Sequence, residues 1–202
     1  MTTKKSLDKI PDNLKPLAEA LTNDTQKLRR QRIVILSTGI DECTSSEFIN
    51  EIMILITESK EPIRVIISSP GGDLLDGLTI IRAIQYAQKM GIEVIGEVFG
   101  HALSMAFIIL QSCNKRIMGE GDFIMCHGFF TVSTTDRKGR EAEDKWLKDA
   151  EEYICRMIAK HNNSKHKEFQ VSDYWHVLMA EETPNYYTAS EALDMGLVDE
   201  VV

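Results

Sequence analysis

The sequence predicts an α/β fold built on a parallel sheet, and three observations predict it. Strand-like and helix-like apolar periods alternate along most of the chain. The helical stretches between strands are long enough to act as crossovers. The length, 202 residues with 43% hydrophobic composition, suffices for one sizeable core and little more.

Taken in order, RIVIL (residues 32–36) reads as a strand, and residues 45–59 as a helix presenting Phe48, Ile49, Ile52, Met53 and Ile56 on one face. RVIIS (64–68) is the next strand. Residues 74–89 follow as a helix with Leu74, Leu78, Ile81 and Ile84 at helical spacing, ending near Gly91 and feeding a third strand, EVIGEVF (93–99), as a parallel βαβ unit requires. A further helix is expected from about Ser104 and a strand at residues 123–126. After the turn-rich STTDRKG, residues 141–160 form a long amphipathic helix with Trp146, Ile154, Met157 and Ile158, charged enough to be partly exposed and to project from the core. In the tail, Thr188 with Glu191 three residues on is a capping box, and Gly196 stops that helix before a last strand in LVDEVV. Residues 1–30 are expected to be an arm outside a single domain spanning 31–202.

Composition excludes several classes. With 23 Lys and Arg against 31 Asp and Glu, the net charge of −8 opposes general nucleic-acid binding, so KLRRQR (27–32) reads as a solvated helix end. Cys43, Cys113, Cys126 and Cys155 are widely spaced and lack a CxxC pair, which suggests reduced core thiols and neither zinc nor disulfides. His161, His166 and His176 read as surface residues, and the HxxxxH spacing of the first two is weak as a metal motif. The lysines near the N-terminus precede no apolar run, and no stretch reaches membrane-spanning length, so a cytoplasmic protein is expected.

Three segments could carry chemistry. SSPGGD (68–73) ends a strand and opens a helix; its paired glycines fit an ordinary tight turn or an exposed pair of N–H donors for an oxyanion. It is neither a Walker loop nor a dinucleotide fingerprint. GHALSMA (100–106) places Ser104 where a strand meets a helix. Serine there is a preferred N-cap, and equally its hydroxyl and the following N–H lie at the positive end of the helix, where a nucleophile and half an oxyanion hole would be wanted. His127 ends the apolar strand FIMC and is either a packed imidazole or a base for a serine hydroxyl. His101 is the rival base, but three residues before Ser104 on a tight turn its ring would have to fold back over its own backbone.

Together, RIVILSTGID, SSPGGD, GHALSMA, RIMGEGDFIMCH and TASEALDMGLVDEVV resemble, in order, the motifs of the Clp protease proteolytic-subunit (ClpP) family. That resemblance covers most of the chain from Arg32 onward. It implies a ClpP/crotonase-like spiral of ββα units, Ser104 as nucleophile, His127 as general base, and the backbone N–H groups of Gly72 and Met105 as oxyanion hole, with no metal or organic cofactor. It further implies stacked homo-oligomeric rings joined by the 141–160 helix as a handle, unfolded polypeptides or peptides as substrates, and an AAA+ unfoldase partner. The sequence departs from the family where the triad aspartate is expected: Pro184 stands at that position with Asn185 beside it, and Asn185 is the candidate to orient the imidazole through its amide oxygen. Two other classes share these features: a catalytically inactive ring subunit, and a crotonase-like acyl-CoA enzyme that would need site carboxylates rather than Ser104.

Overall fold

The computed structural model describes residues 26–128, 136–162 and 185–202. Strand β1 (Ile33–Leu36) leads into helix α1 (Glu42–Glu58), β2 (Ile63–Ser69), α2 (Leu74–Lys89), β3 (Val94–Leu103) and α3 (Met105–Gln111). Strands β4 (Lys115–Met118) and β5 (Phe123–Cys126) follow, then the long helix α4 (Arg137–Asn162), β6 (Asn185–Thr188), α5 (Ala189–Asp194) and β7 (Glu200–Val201). The sheet runs β1-β2-β3-β4-β7, all neighbours parallel; β5 continues along the same edge of β3 beyond β4, and β6 adds to β5 antiparallel. The expected mixed α/β fold with its parallel βαβ units is what the chain adopts.

Helix α1 starts three residues before the apolar stripe suggested, because Asp41 caps it: its carboxylate accepts the Thr44 N–H at 2.9 Å while Thr44 Oγ1 accepts the Asp41 N–H at 2.8 Å. Its buried line is Ser45, Phe48, Ile52 and Leu55, so Met53, expected inside, lies at the edge of that stripe and is exposed. At its far end Arg32, held at φ 57°, donates to the carbonyls of Leu55, Ser59, Glu61 and Pro62, which places a cation at the negative helix terminus. Helix α2 has the predicted limits, with Asp73 accepting the Leu75 and Asp76 amides.

The long helix starts at Arg137, earlier than expected. Its second half is the anchored part: Ala150, Ile154, Cys155, Ile158 and Ala159 are buried, whereas Trp146 is exposed. The capping box at Thr188 and the stop at Gly196, φ 68°, are both present. A short strand at β4 was not anticipated. Its second residue is Arg116, wholly buried, whose guanidinium pairs with Asp199 at 2.8 Å and donates to Gln111 at 2.7 Å, tying β4 to the C-terminal segment. His161, read from sequence as surface, is half-buried with Nε2 3.7 Å from Asp199 Oδ2; the end of α4 folds back onto that pair. His166, His176 and most of the expected arm lie outside the described residues; residues 26–30 form a helical turn that Arg29 ties to Glu58. No helix among the described residues is long and apolar enough to cross a membrane.

Candidate active site

Strand β3 is longer than predicted, because GHAL continues it in a bent course rather than forming a loop. Its first part pairs with β2 in register Ile67↔Val98, but the next pair is Ser69↔Ala102, so β3 carries two extra residues there. Beyond this bulge β3 leaves β4 and pairs with β5: His101↔Phe123, Ala102↔Ile124, Leu103↔Met125. The bend carries the strand end away from the main sheet and delivers Ser104 to the junction with α3.

Ser104 occupies the N-cap position of α3 without capping it. Its side chain accepts no helix amide, and its backbone stands at φ 53°, ψ −121°, a conformation in which, with Arg32, it is one of two non-glycine residues of positive φ among those described. A serine serving as a cap adopts extended φ and ψ and accepts the N–H two or three residues on. The conformation at Ser104 instead resembles a sharp strand-to-helix elbow, which costs of order 1–3 kcal/mol and exposes the side chain at the bend. The Ser104 amide is spent on the Met125 carbonyl at 2.8 Å, fixing the elbow against β5.

The SPGG turn backs that elbow. Gly71 is at φ 90°, and a Cβ there would lie 2.6 Å from the Leu103 carbonyl and 2.8 Å from both the Met105 nitrogen and Ser104 Cβ. Gly72, at φ 154°, bridges to Ile40 so closely that a Cβ would sit 2.2 Å from the Ile40 carbonyl. Side chains are thereby excluded at both positions, and the two turns come into backbone contact. Ile40 N–H donates to Gly71 O at 2.9 Å and Asp73 N–H to Ile40 O at 2.8 Å. Among the described residues neither the Gly72 nor the Met105 amide donates to a backbone carbonyl. An oxyanion hole needs at minimum two such N–H donors beside the nucleophile; Met105 follows Ser104 directly, and Gly72 follows the Gly71 that backs the elbow.

His127 follows the last residue of β5, and Ser104 follows the last residue of β3, bonded through its amide to Met125, so the parallel register brings the two strand ends to the same end of the β3–β5 pair, with Ser104 level with Cys126 and His127 one residue further on. Its Nδ1 lies 2.5 Å from the Gly128 carbonyl. A proton held on Nδ1 by that oxygen leaves Nε2 as the basic nitrogen. Asn185 opens β6 opposite Cys126, one residue from His127 along β5, and is half-buried. Pro184 lies outside the described residues. His101, the rival base, sits within β3 in register with Phe123.

The thiols near the site are inert. Cys126 and Cys155 are buried, and burial pushes each thiol up to about 12; the same holds for Cys113. Sequence reading missed the buried Arg116–Asp199 pair and the role of Asp122 in the GEGD turn; the arginine lies in a strand of only four residues with no local sign of burial.

Comparison with known proteins gives three findings. A family model described as "Clp protease" matches residues 17–202. The ATP-dependent Clp protease proteolytic subunit of Carsonella ruddii (strain PV) is 25% identical over 179 residues, covering 87% of this chain and 86% of the relative. The ATP-dependent Clp protease proteolytic subunit 2 of Thermobifida fusca (strain YX) is 26% identical over 194 residues, covering 93% and 88% respectively.

Proposed function

Because the chain belongs to the Clp protease family, we propose that it is a serine endopeptidase cleaving unfolded polypeptides, with Ser104 as nucleophile and His127 as general base. The observation that carries this reading is the Ser104 elbow: a serine held at positive φ, not spent on capping, backed by the Gly71–Gly72 turn. Nothing in helix capping or packing calls for that conformation, whereas a nucleophile at a sharp bend does.

In the proposed reaction His127 Nε2 takes the Ser104 proton as Oγ attacks the scissile carbonyl. The Gly72 and Met105 N–H groups bind the developing oxyanion, each such donor contributing about 3–4 kcal/mol to the barrier reduction. His127 then returns the proton to the leaving amine, and water, deprotonated by the same imidazole, releases the acyl group. The Gly128 carbonyl serves as orienter of the neutral ring, and Asn185 as a second, uncharged one through its amide oxygen. The names of the relatives, both proteolytic subunits of an ATP-dependent protease, support an ATP-driven partner and a multi-subunit working form; the proposal takes these to be an AAA+ unfoldase and stacked homo-oligomeric rings, with α4 as the inter-ring handle and residues 1–30 as an axial arm.

The test is covalent. A fluorophosphonate is expected to add to Ser104, as located by peptide mass spectrometry, and to fail with Ser104→Ala and His127→Ala. An assembled wild-type protein that takes no label would instead be an inactive ring subunit; acyl-CoA hydrolysis indifferent to Ser104→Ala would be crotonase-like chemistry.

A further inference from the structure

We propose that Asp122 is a positioning residue for Ser104, acting through the backbone bulge of β3; the proposal rests on the reading of Ser104 as a nucleophile. Its two carboxylate oxygens divide between two amides: Oδ1 accepts the Gly100 N–H and Oδ2 the Gly119 N–H, both at 2.7 Å. The second bond closes the turn between β4 and β5, which already has its own backbone link, Asp122 N–H to Gly119 O at 3.0 Å. The first bond crosses to another strand and has no such duplicate.

Its position gives that bond its importance. On this edge β3 last pairs with β4 at Glu97↔Ile117 and first pairs with β5 at His101↔Phe123. On the other edge the ladder to β2 is broken between Val98 and Ala102. Residues 99 and 100 therefore fall in a gap in both ladders, at the point where the strand bends, and Gly100 supplies the positive φ of 83° that the bend uses. The Asp122 carboxylate takes the N–H that no strand takes there. Only an acceptor with two separate oxygens clamps both the turn and the bulge, and its negative charge strengthens both bonds.

The effect on chemistry follows from leverage. Residues 101–104 are bonded to β5, which starts directly after Asp122, so the end of β3 moves with β5 as one unit against the main sheet; in that unit Ser104 lies four residues past Gly100, about 13 Å along an extended strand at ~3.3 Å per residue. A rotation of only about 4–5° at the bulge displaces Ser104 by about 1 Å, and a misplacement of that size costs on the order of 100-fold in rate.

The experiment compares wild type with Asp122→Ala and Asp122→Asn, the latter isosteric but with one oxygen in place of two. Peptidase kcat and KM, the rate of fluorophosphonate addition at Ser104, and deuterium exchange of the 100–105 backbone are measured on the full chain. Leu55→Ala, a core truncation in α1 remote from the bulge, is the control for destabilisation. Asp122→Ala is expected to lower kcat and the labelling rate at least tenfold with KM within about twofold, Asp122→Asn to fall between, and exchange at Gly100 and Ser104 to quicken in both. Leu55→Ala is expected to keep the wild-type labelling rate below its melting temperature. The proposal is overturned by unchanged 100–105 exchange in Asp122→Ala, or by a rate loss no larger than Leu55→Ala shows at equal stability. A wild-type protein that never labels rejects the nucleophile reading and this proposal with it, whereas wild-type labelling with an indifferent Asp122→Ala rejects this proposal alone.

Discussion

Replacing Ser104 by glycine should make the protein more stable. A cap residue loses stability when its hydroxyl is removed: Ser→Ala at an N-cap costs about 1 kcal/mol and Ser→Gly a few tenths. Ser104 makes no capping bond and stands at φ 53°, ψ −121°, where an L side chain is strained by about 1–3 kcal/mol. Alanine keeps the Cβ and so keeps the strain, and loses nothing as a cap; its stability should match wild type within about 0.5 kcal/mol. Glycine relieves the strain but gives the unfolded chain more freedom, worth about 0.4–1 kcal/mol against folding. The balance near the middle of these ranges is a gain of about 1 kcal/mol. For a domain of this size that raises the melting temperature by about 2–4 °C. Thermal melts of wild type, Ser104→Ala and Ser104→Gly, run at one protein concentration because assembly would couple to unfolding, give the answer. Ser104→Ala falling by about 1 kcal/mol with Ser104→Gly slightly below wild type would refute the argument, for that is the order a simple cap produces.

Two more predictions concern the frame around the site. Asp199→Ala leaves the fully buried Arg116 guanidinium without its carboxylate and should cost about 3–5 kcal/mol, read by denaturant titration; Arg116→Met in the same background should recover part of it. The thiols should titrate late. Burial raises Cys113, Cys126 and Cys155 from an ordinary value of 9 to about 12, so their contribution to stability is complete below pH 9 and is lost as pH climbs toward 12. Iodoacetamide at pH 8 should therefore modify Cys43 alone in the folded protein, and Glu47→Gln should speed that reaction, since the Glu47 carboxylate holds the exposed Cys43 thiol above its usual range.

The elements most legible in the sequence are those whose limits are set by neighbours along the chain. Helix α2 is bounded by the Asp73 cap and by Gly91 at φ 80°, both local signals, and its limits match. The Thr188 box is likewise local. By contrast, the start of α1 turned on a reciprocal bond between Asp41 and Thr44 that lies upstream of the apolar stripe, so periodicity alone placed it late. Strand β4 escaped notice because four residues, one of them a buried arginine, carry too little alternation, and what holds them is a carboxylate 83 residues away in sequence.

The site divides along the same line. That a serine, a glycine pair and a strand-end histidine exist is visible locally, but what each does depends on register between strands. Whether Ser104 was a cap or an elbow depended on the two-residue bulge in β3, a mismatch between the spacings of β2 and β3 that neither segment displays by itself. Beyond the bulge Ser104 bonds Met125, which brings it to the strand end that His127 follows, one step past Cys126, and the antiparallel pairing of β6 fixes Asn185 opposite Cys126. In the proposed mechanism the imidazole of His127 is oriented by neutral oxygens, the Gly128 carbonyl 2.5 Å from Nδ1 and the amide of Asn185. A neutral oxygen can hold the Nδ1 proton but gives less than a carboxylate to the imidazolium formed during attack. A peptidase so arranged is expected to owe more of its rate to the placement of Ser104, and hence to the Asp122 clamp proposed to hold the β3 bulge.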